Sequence, residues 1–373
     1  MKRILVFGMT ENAGGVESFI MNYYRHIDRE EIQFDFLCNT LSKVAYEDEL
    51  LTLGGRVFHI TSRRQNPVKY KKEILGIFKA HASEWSAVWI NLNNLANIDY
   101  LKIAKGFGIN KRIIHSHNSQ NMDGSFNYRG IMHHFNKCFV GKYATDFWAC
   151  SEDAARWFYS GEAKKNAVII HNAIDVERMA FDSAKRDAIR KTHGWEDLYV
   201  IGNVGRLQFQ KNQSFSLDVF KHYHAEHPNS VLVFVGQGED EQILRKKAGA
   251  LGLSDCVFFA GVQHDIQAWL SSFDLFLFPS RLEGLSISAM EAQANGVPVL
   301  ASKGVIPDEV RINDNFSFFD LDRGAEAWSE KIAEMTRLER EAFDAIKARF
   351  QAKGYDIKTE AKKLEELLAK QII

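Results

Sequence analysis

Residues 275–301 read LFLFPSRLEGLSISAMEAQANGVPVLA. The opening LFLF run has no polar alternation, so it reads as a strand buried on both faces. Pro279 and Ser280 end it. Ser286 is a good N-cap, and the residues after it carry a helix that Gly296 and Pro298 stop. A second apolar run, 298–301, follows at once. Strand, helix and strand in this order make a βαβ unit, which implies a parallel sheet. Two carboxylates interrupt a stretch that otherwise looks like core. Glu283 lies in the loop before the helix and Glu291 in its second turn. Between them stand the N–H groups of Gly284, Leu285, Ser286 and Ile287, a ready anion cradle.

The same alternation extends in both directions. Toward the N-terminus, strands are expected at 3–7, 33–37, 56–59, 87–90, 111–115, 146–149 and 168–171. A second series is expected at 199–204, 230–235, 256–259, 275–278 and 298–301. Helical segments such as 16–26, 67–81, 213–227 and 240–251 lie between them. The fold class is therefore α/β, with two Rossmann-like domains facing across a cleft and ligands beyond the carboxyl ends of the strands. The expected domains are 1–175 and 176–354, joined by a charged stretch with no strand signal. Residues 355–373 are expected to form a helix that packs back on the first domain. Its apolar stripe is Ile357, Ala361, Leu364, Leu368 and Ile372.

The chain has 373 residues, enough for two or three domains. Its four cysteines are far apart and form no C-x-x-C pair, so buried, reduced thiols in a reducing compartment are expected. No signal peptide precedes MKRILVFG, and no apolar run approaches the roughly 20 residues of a membrane span. A cytoplasmic protein is expected, peripheral on the inner face of the plasma membrane. Net charge is −1, but it is unevenly spread. Residues 61–112 hold ten Lys/Arg against three acids. The windows 63–79 and 129–142, from Arg63 to Lys79 and from Arg129 to Lys142, read either as solvated helix faces or as a surface for an anionic membrane or a diphosphate-linked acceptor. No nucleic acid is expected as a partner.

Further motifs sit at strand ends. Near the N-terminus, Gly14-Gly15 precedes a helix, which suits close approach of a ligand or only a turn. G-x-G-x-x-G fails after Gly8, which weakens a dinucleotide reading. In GNVGRLQFQKN (202–212), Arg206 and Lys211 lie past a strand beside Gly205, a chemistry fit for a diphosphate. In VGQGEDE (235–241), Gly236 and Gly238 open the backbone to a ligand or merely turn it. In IIHSHNSQ (113–120), His115 and His117 end a strand. A zinc half-site lacks a matched third ligand. A neutral histidine donating to a ligand oxygen is the reading that remains beside a core histidine.

Taken in order, EGLSISAMEAQANGVPV, GNVGRLQFQKN, VGQGE, FAGVQHDI, HNAID and AGGVE resemble the retaining GT-B glycosyltransferases of family 4. The resemblance covers nearly the whole chain and lies nearest the capsular and exopolysaccharide branch. It implies that Arg206 and Lys211 bind the donor diphosphate and the departing nucleotide, with Gly205 and Gly236 at the same loops. Glu291 would hold the ribose hydroxyls and Glu283 the donor sugar. Gly284 and the amides of Leu285 and Ser286 would reach phosphate or sugar. Gly15 would approach the diphosphate from the first domain, the Val262 backbone would read the base, and His117 would contact the donor sugar. Ser286 stands where the branch commonly has glycine. The implied reaction moves a sugar from a UDP-sugar to a lipid-linked oligosaccharide with retention, by front-face attack and without cofactor or metal. An inactive GT-B partner subunit and a GT-B-fold UDP-sugar epimerase are the alternatives.

Overall fold

The computed structural model describes residues 1–118, 128–283 and 286–370. Gly284, Leu285 and Ile372 lie outside them. The chain divides into two compact units, Met1–Ala173 with Ile357–Ile373, and Ile174–Asp356.

The first unit holds β1 (Lys2–Phe7), β2 (Ile32–Cys38), β3 (Arg56–His59), β4 (Trp85–Leu92), β5 (Lys111–Ser116), β6 (Asp146–Ala149) and β7 (Val168–Ile169). They form one sheet in the order β3-β2-β1-β4-β5-β6-β7, and every pair is parallel. All seven residues of β2 are buried, as a strand covered on both faces requires. That burial includes the Asp35 carboxylate, which is paired with Arg3 and Arg56 and takes a 2.8 Å hydrogen bond from the Trp85 indole. A buried charge persists only when it is compensated in this way.

The second unit holds β8 (Tyr199–Val204), β9 (Ser230–Val235), β10 (Val257–Gly261), β11 (Leu275–Phe278), β12 (Val299–Ser302) and β13 (Phe316–Phe319). Their order is β10-β9-β8-β11-β12-β13, again all parallel. Each sheet is sandwiched between two apolar clusters, one per face.

The helix Ile287–Asn295 lies between β11 and β12 as the βαβ reading requires. Ser286 caps it, its hydroxyl accepting from the Ala289 N–H at 3.5 Å, and Gly296 ends it at φ +82°. Two expectations need correction. β13 was not anticipated, because FSFF is only four residues long at a sheet edge, after a polar NDN run. Cys38 and Cys150 are buried, but Cys256 is only half-buried and Cys138 is exposed, because it lies on the outer face of the helix Tyr128–Phe139.

The last helix, Ile357–Ala369, starts two residues later than the segment read from the sequence. Ile357, Ala361, Leu364 and Leu368 are buried in the first unit with Phe19 and Tyr23 of the helix Gly15–His26. Lys111 reaches the carbonyls of Leu367 and Lys370 at 2.6 and 2.8 Å. A cation on the last carbonyls complements the negative end of a helix. Among the described residues no helix is long and apolar enough to cross a membrane.

Candidate active site

In the second unit the chemistry gathers where β8, β9 and β11 end. The loops after β8 and β9 touch backbone to backbone. Gly205 N–H donates to Val235 O at 2.9 Å, and Leu207 N–H to Gln237 O at 3.0 Å. A Cβ on Gly236 would lie 2.1 Å from Gly205 O, and one on Gly238 2.1 Å from Leu207 O. Loop contact alone therefore demands both glycines.

The loops after β8 and β11 are stapled by side chains. Asn212 donates to Pro279 O at 2.9 Å and accepts from Arg281 at 3.0 Å. Asn203 donates to Leu277 O at 2.8 Å, and Gln213 donates to Arg206 O at 3.1 Å. Asn212 holds φ +57°, a left-handed position that asparagine tolerates better than most residues. Asn203, Asn212 and Gln213 are not among the site residues expected from the sequence. Their signal was small amide side chains flanking the two cations.

Each cation meets a carboxylate. Lys211 Nζ lies 2.7 Å from Glu283 Oε1 and 4.8 Å above the Phe278 ring. Both side chains of this pair are largely buried, 16% and 9% exposed. Arg206 pairs with Glu239 at 3.1 Å, where both side chains are more than half exposed. An ammonium has three N–H donors. Lys211 can therefore hold Glu283 and still give hydrogen bonds to an anion. Glu291 is half-buried on the helix Ile287–Asn295. Burial pushes its carboxyl up to about 7, opposed by the nearby charge of Arg178. Val262 is 54% exposed, just beyond Gly261 at the end of β10.

In the first unit, His115 and His117 have different fates. His115 is fully buried among Phe19, Trp89 and Trp148, and neither ring nitrogen has a partner among the described residues. It is a core histidine, and burial keeps it neutral. His117 follows β5, its ring edge-on to Phe19 at 4.8 Å. Its Nε2 is 2.8 Å from Asn91 Oδ1, and the Asn91 amide nitrogen donates to Phe7 O at 3.1 Å.

This chain of bonds fixes the tautomer. A carbonyl only accepts, so the Asn91 NH2 faces Phe7 and its oxygen faces His117. An oxygen only accepts, so His117 Nε2 carries the hydrogen. Burial pushes the imidazole pKa down to about 3, which leaves Nδ1 as a bare lone pair. Contrary to the expected histidine donating to a ligand oxygen, the N–H of His117 is already spent on Asn91, so it offers an acceptor. Gly15 is exposed at the start of the helix Gly15–His26, with open space where a Cβ would stand. Glu17, two residues on, is buried, and its carboxylate accepts from the Gly14 N–H at 3.1 Å.

Residues 185–355 match the family described as Glycosyl transferases group 1. The chain is 30% identical over 361 residues to a Bacillus subtilis protein described as putative glycosyltransferase EpsF, covering 95% of this chain and 93% of that one. Over 138 residues, 36% of each chain, it is 32% identical to an Escherichia coli UDP-Gal:alpha-D-GlcNAc-diphosphoundecaprenol alpha-1,3-galactosyltransferase. In fold it is similar to Anabaena HepE, solved in complex with UDP, with a TM-score of 0.78, 16% identity, and 99% of this chain and 100% of that chain covered. The two parallel-sheet units are those of the GT-B glycosyltransferases. This chain belongs to the glycosyl transferases of group 1.

Proposed function

We propose that the protein is a retaining transferase of family 4 that moves a sugar from a UDP-sugar to a lipid-linked glycan in cell-surface polysaccharide synthesis. The observation that carries this reading is the sheltered Lys211–Glu283 pair at the ends of β8 and β11. One ammonium there serves a diphosphate and a sugar-facing carboxylate together. The relatives support the finer terms. The Escherichia coli enzyme's name specifies UDP-galactose and a diphosphoundecaprenol acceptor, and a Salmonella typhi relative is a Vi polysaccharide biosynthesis protein.

In this reading the second unit binds the donor and the first binds the acceptor. Lys211 and Arg206 stabilise the charge that grows on the diphosphate as the glycosidic bond breaks, which is transition-state electrostatics. The backbone at Gly205, Gly236 and Ser286 lies along the donor, Val262 meets the base, and Glu291 takes the ribose hydroxyls. His117 Nδ1 accepts a sugar hydroxyl, and Gly15 lets the diphosphate come close. The departing phosphate takes the acceptor proton, so no strong general base, cofactor or metal is required.

An anionic membrane surface fits the first unit, on the cytoplasmic face of the plasma membrane. The helix Tyr128–Phe139 exposes Ile131 and Phe135, 64% and 58% open to solvent. Lys142 Nζ lies 5.0 Å over the Phe139 ring. The window 129–142 holds Arg129, Lys137 and Lys142 and no Asp or Glu. In the window 63–79, Arg63 is paired with Asp99 and Lys69 with Glu73, which leaves Arg64, Lys71, Lys72 and Lys79 as its other cations. Cosedimentation with anionic but not zwitterionic vesicles, weakened by salt, is expected; indifference to both would sink the membrane term.

The deciding experiment is a donor screen with UDP-glucose, UDP-galactose, UDP-N-acetylhexosamines and GDP-mannose, read by nucleotide release and thermal shift. A shift with UDP-sugars is expected. An isomerised UDP-sugar without acceptor would instead reveal an epimerase. If Lys211→Ala and Glu283→Ala both preserve the cellular phenotype, the inactive-partner reading replaces this one.

A further inference from the structure

We propose that the open pocket at the carboxyl ends of β1, β2 and β4 seats the acceptor's terminal sugar and selects a neutral, hydroxyl-rich ring over a uronate or a sugar phosphate. This rests on the transferase reading above and adds to it the chemical class of the acceptor. The pocket encloses about 390 Å³, within the roughly 300–1,000 Å³ usual for small-molecule sites. It lies wholly within the first unit.

Its lining decides its taste. Thr10, Glu11, Glu17, Asn39, Asn91 and Asn93 contribute hydroxyls, amides and two carboxylates, and no described lining residue is a lysine or arginine. Glu17 is 6% exposed and is held by the Gly14 N–H and the Thr10 hydroxyl. Glu11 accepts from the Thr40 hydroxyl. A carboxylate offers about four lone-pair sites, so both keep capacity for further hydroxyls. Asn39 Oδ1 is buried and has no hydrogen-bond partner among the described residues. A buried acceptor left unpaired is costly, and turning the amide toward the pocket to meet a sugar hydroxyl would relieve that cost.

A polyol matches such a wall, because each hydroxyl both donates to a carboxylate and accepts from an amide. An anion entering the same space meets two carboxylates and no counter-charge among the described lining residues, and like charges brought together oppose binding. Asn91 is one wall of the pocket and also the residue that holds His117 at 2.8 Å. A sugar seated there is next to the residue that orients the histidine.

The test uses the full chain saturated with UDP and saturation-transfer NMR. The probes are neutral methyl glycosides of glucose, galactose and N-acetylglucosamine, set against methyl glucuronoside and glucose 6-phosphate at equal concentration. At least one neutral glycoside is expected to show about tenfold stronger transfer than either anion. Asn39→Leu and, on the open rim, Asn93→Leu are each expected to abolish it, with circular dichroism checking the fold. Glu11→Lys is expected to turn the preference toward the glucuronoside. Equal or stronger transfer to an anion, transfer that survives both leucine variants, or no transfer to any neutral glycoside overturns the proposal. A UDP-induced thermal shift of the wild-type chain separates the two readings. If it is present while the selectivity fails, only the pocket proposal falls; if it is absent, the transferase reading falls.

Discussion

The two units place their polar groups at the same address, the carboxyl ends of parallel strands, and fill that address with opposite electrostatics. In the first unit a pocket with two carboxylates and four asparagines has no cation among its described lining residues, and its neighbouring histidine is held neutral. In the second unit two cations stand at the strand ends, each paired with a glutamate, over loops that glycine lets pack together. Nearly the same sheet geometry thus serves two chemistries. The strands set where ligands can approach, and the loop residues decide whether the visitor is anionic or a neutral polyol.

The sharpest way to break this comparison is within the cation pair itself. Lys211→Met should lower donor turnover by about 10²–10³-fold, the scale of a lost transition-state donor in a sheltered site. Arg206→Ala should cost only about tenfold and lose its effect in added salt, because that pair is exposed and screened. Nucleotide-release kinetics at two ionic strengths measure both. Equal losses would mean that burial does not rank these cations.

A smaller effect is expected at the other address. Asn91→Leu removes the acceptor that keeps the hydrogen on His117 Nε2. Acceptor-dependent turnover should fall about tenfold, less than the roughly 10²–10⁴-fold of a deleted acid–base group. Nitrogen-15 shifts of His117 should then report a mixture of tautomers, a signature that a merely structural asparagine would not produce. In Asn91→Asp a carboxylate faces the ring, so the imidazole pKa should rise from about 3 and the acid limb of the rate profile should move up with it.

The smallest effect concerns Glu291. Its carboxyl is raised to about 7 in the folded chain, from an ordinary value of 4.5. If the ionised form holds ribose hydroxyls, UDP should bind a few-fold more tightly at pH 8 than at pH 6, and Glu291→Gln should flatten that dependence. Stability runs the other way. Between pH 4.5 and about 7 the folded state holds a proton that the unfolded state has lost. The contribution is therefore full below pH 4.5 and fades as pH rises through about 7. A melting-temperature series across this window on both proteins checks the sign.

Most of the sheet was legible because apolar runs buried on both faces leave an unambiguous mark. β8, β9 and β11 begin and end where the runs 199–204, 230–235 and 275–278 do. β13 escaped because a short edge strand with a serine in it carries little of that signal. Gly14-Gly15, Arg206, Lys211, Glu283 and Glu291 drew attention through their place after strands and before helices, and the family resemblance gave them roles. What the sequence could not display was pairing over distance. Lys211 and Glu283 are 72 positions apart, and Asn91 and His117 are 26 apart. The hydrogen-bond polarity of an imidazole depends on such partners, so no local pattern could reveal that His117 accepts.

The embrace of the terminal helix by the first unit has a consequence for synthesis. Residues 357–369 complete an apolar face that begins at residue 15, and Lys111 binds their last carbonyls. A ribosome finishes this unit only after the whole second unit has been made. Until then the face formed by Phe19 and Tyr23 lacks its cover, an exposed and aggregation-prone surface. A chain that stops short of Ile357 is thus marked as incomplete by its own stickiness. This helix acts as a late-arriving seal on the first unit, and cleavage near residue 356 followed by loss of the helix should send the remaining chain, residues 1–356, to the aggregate fraction.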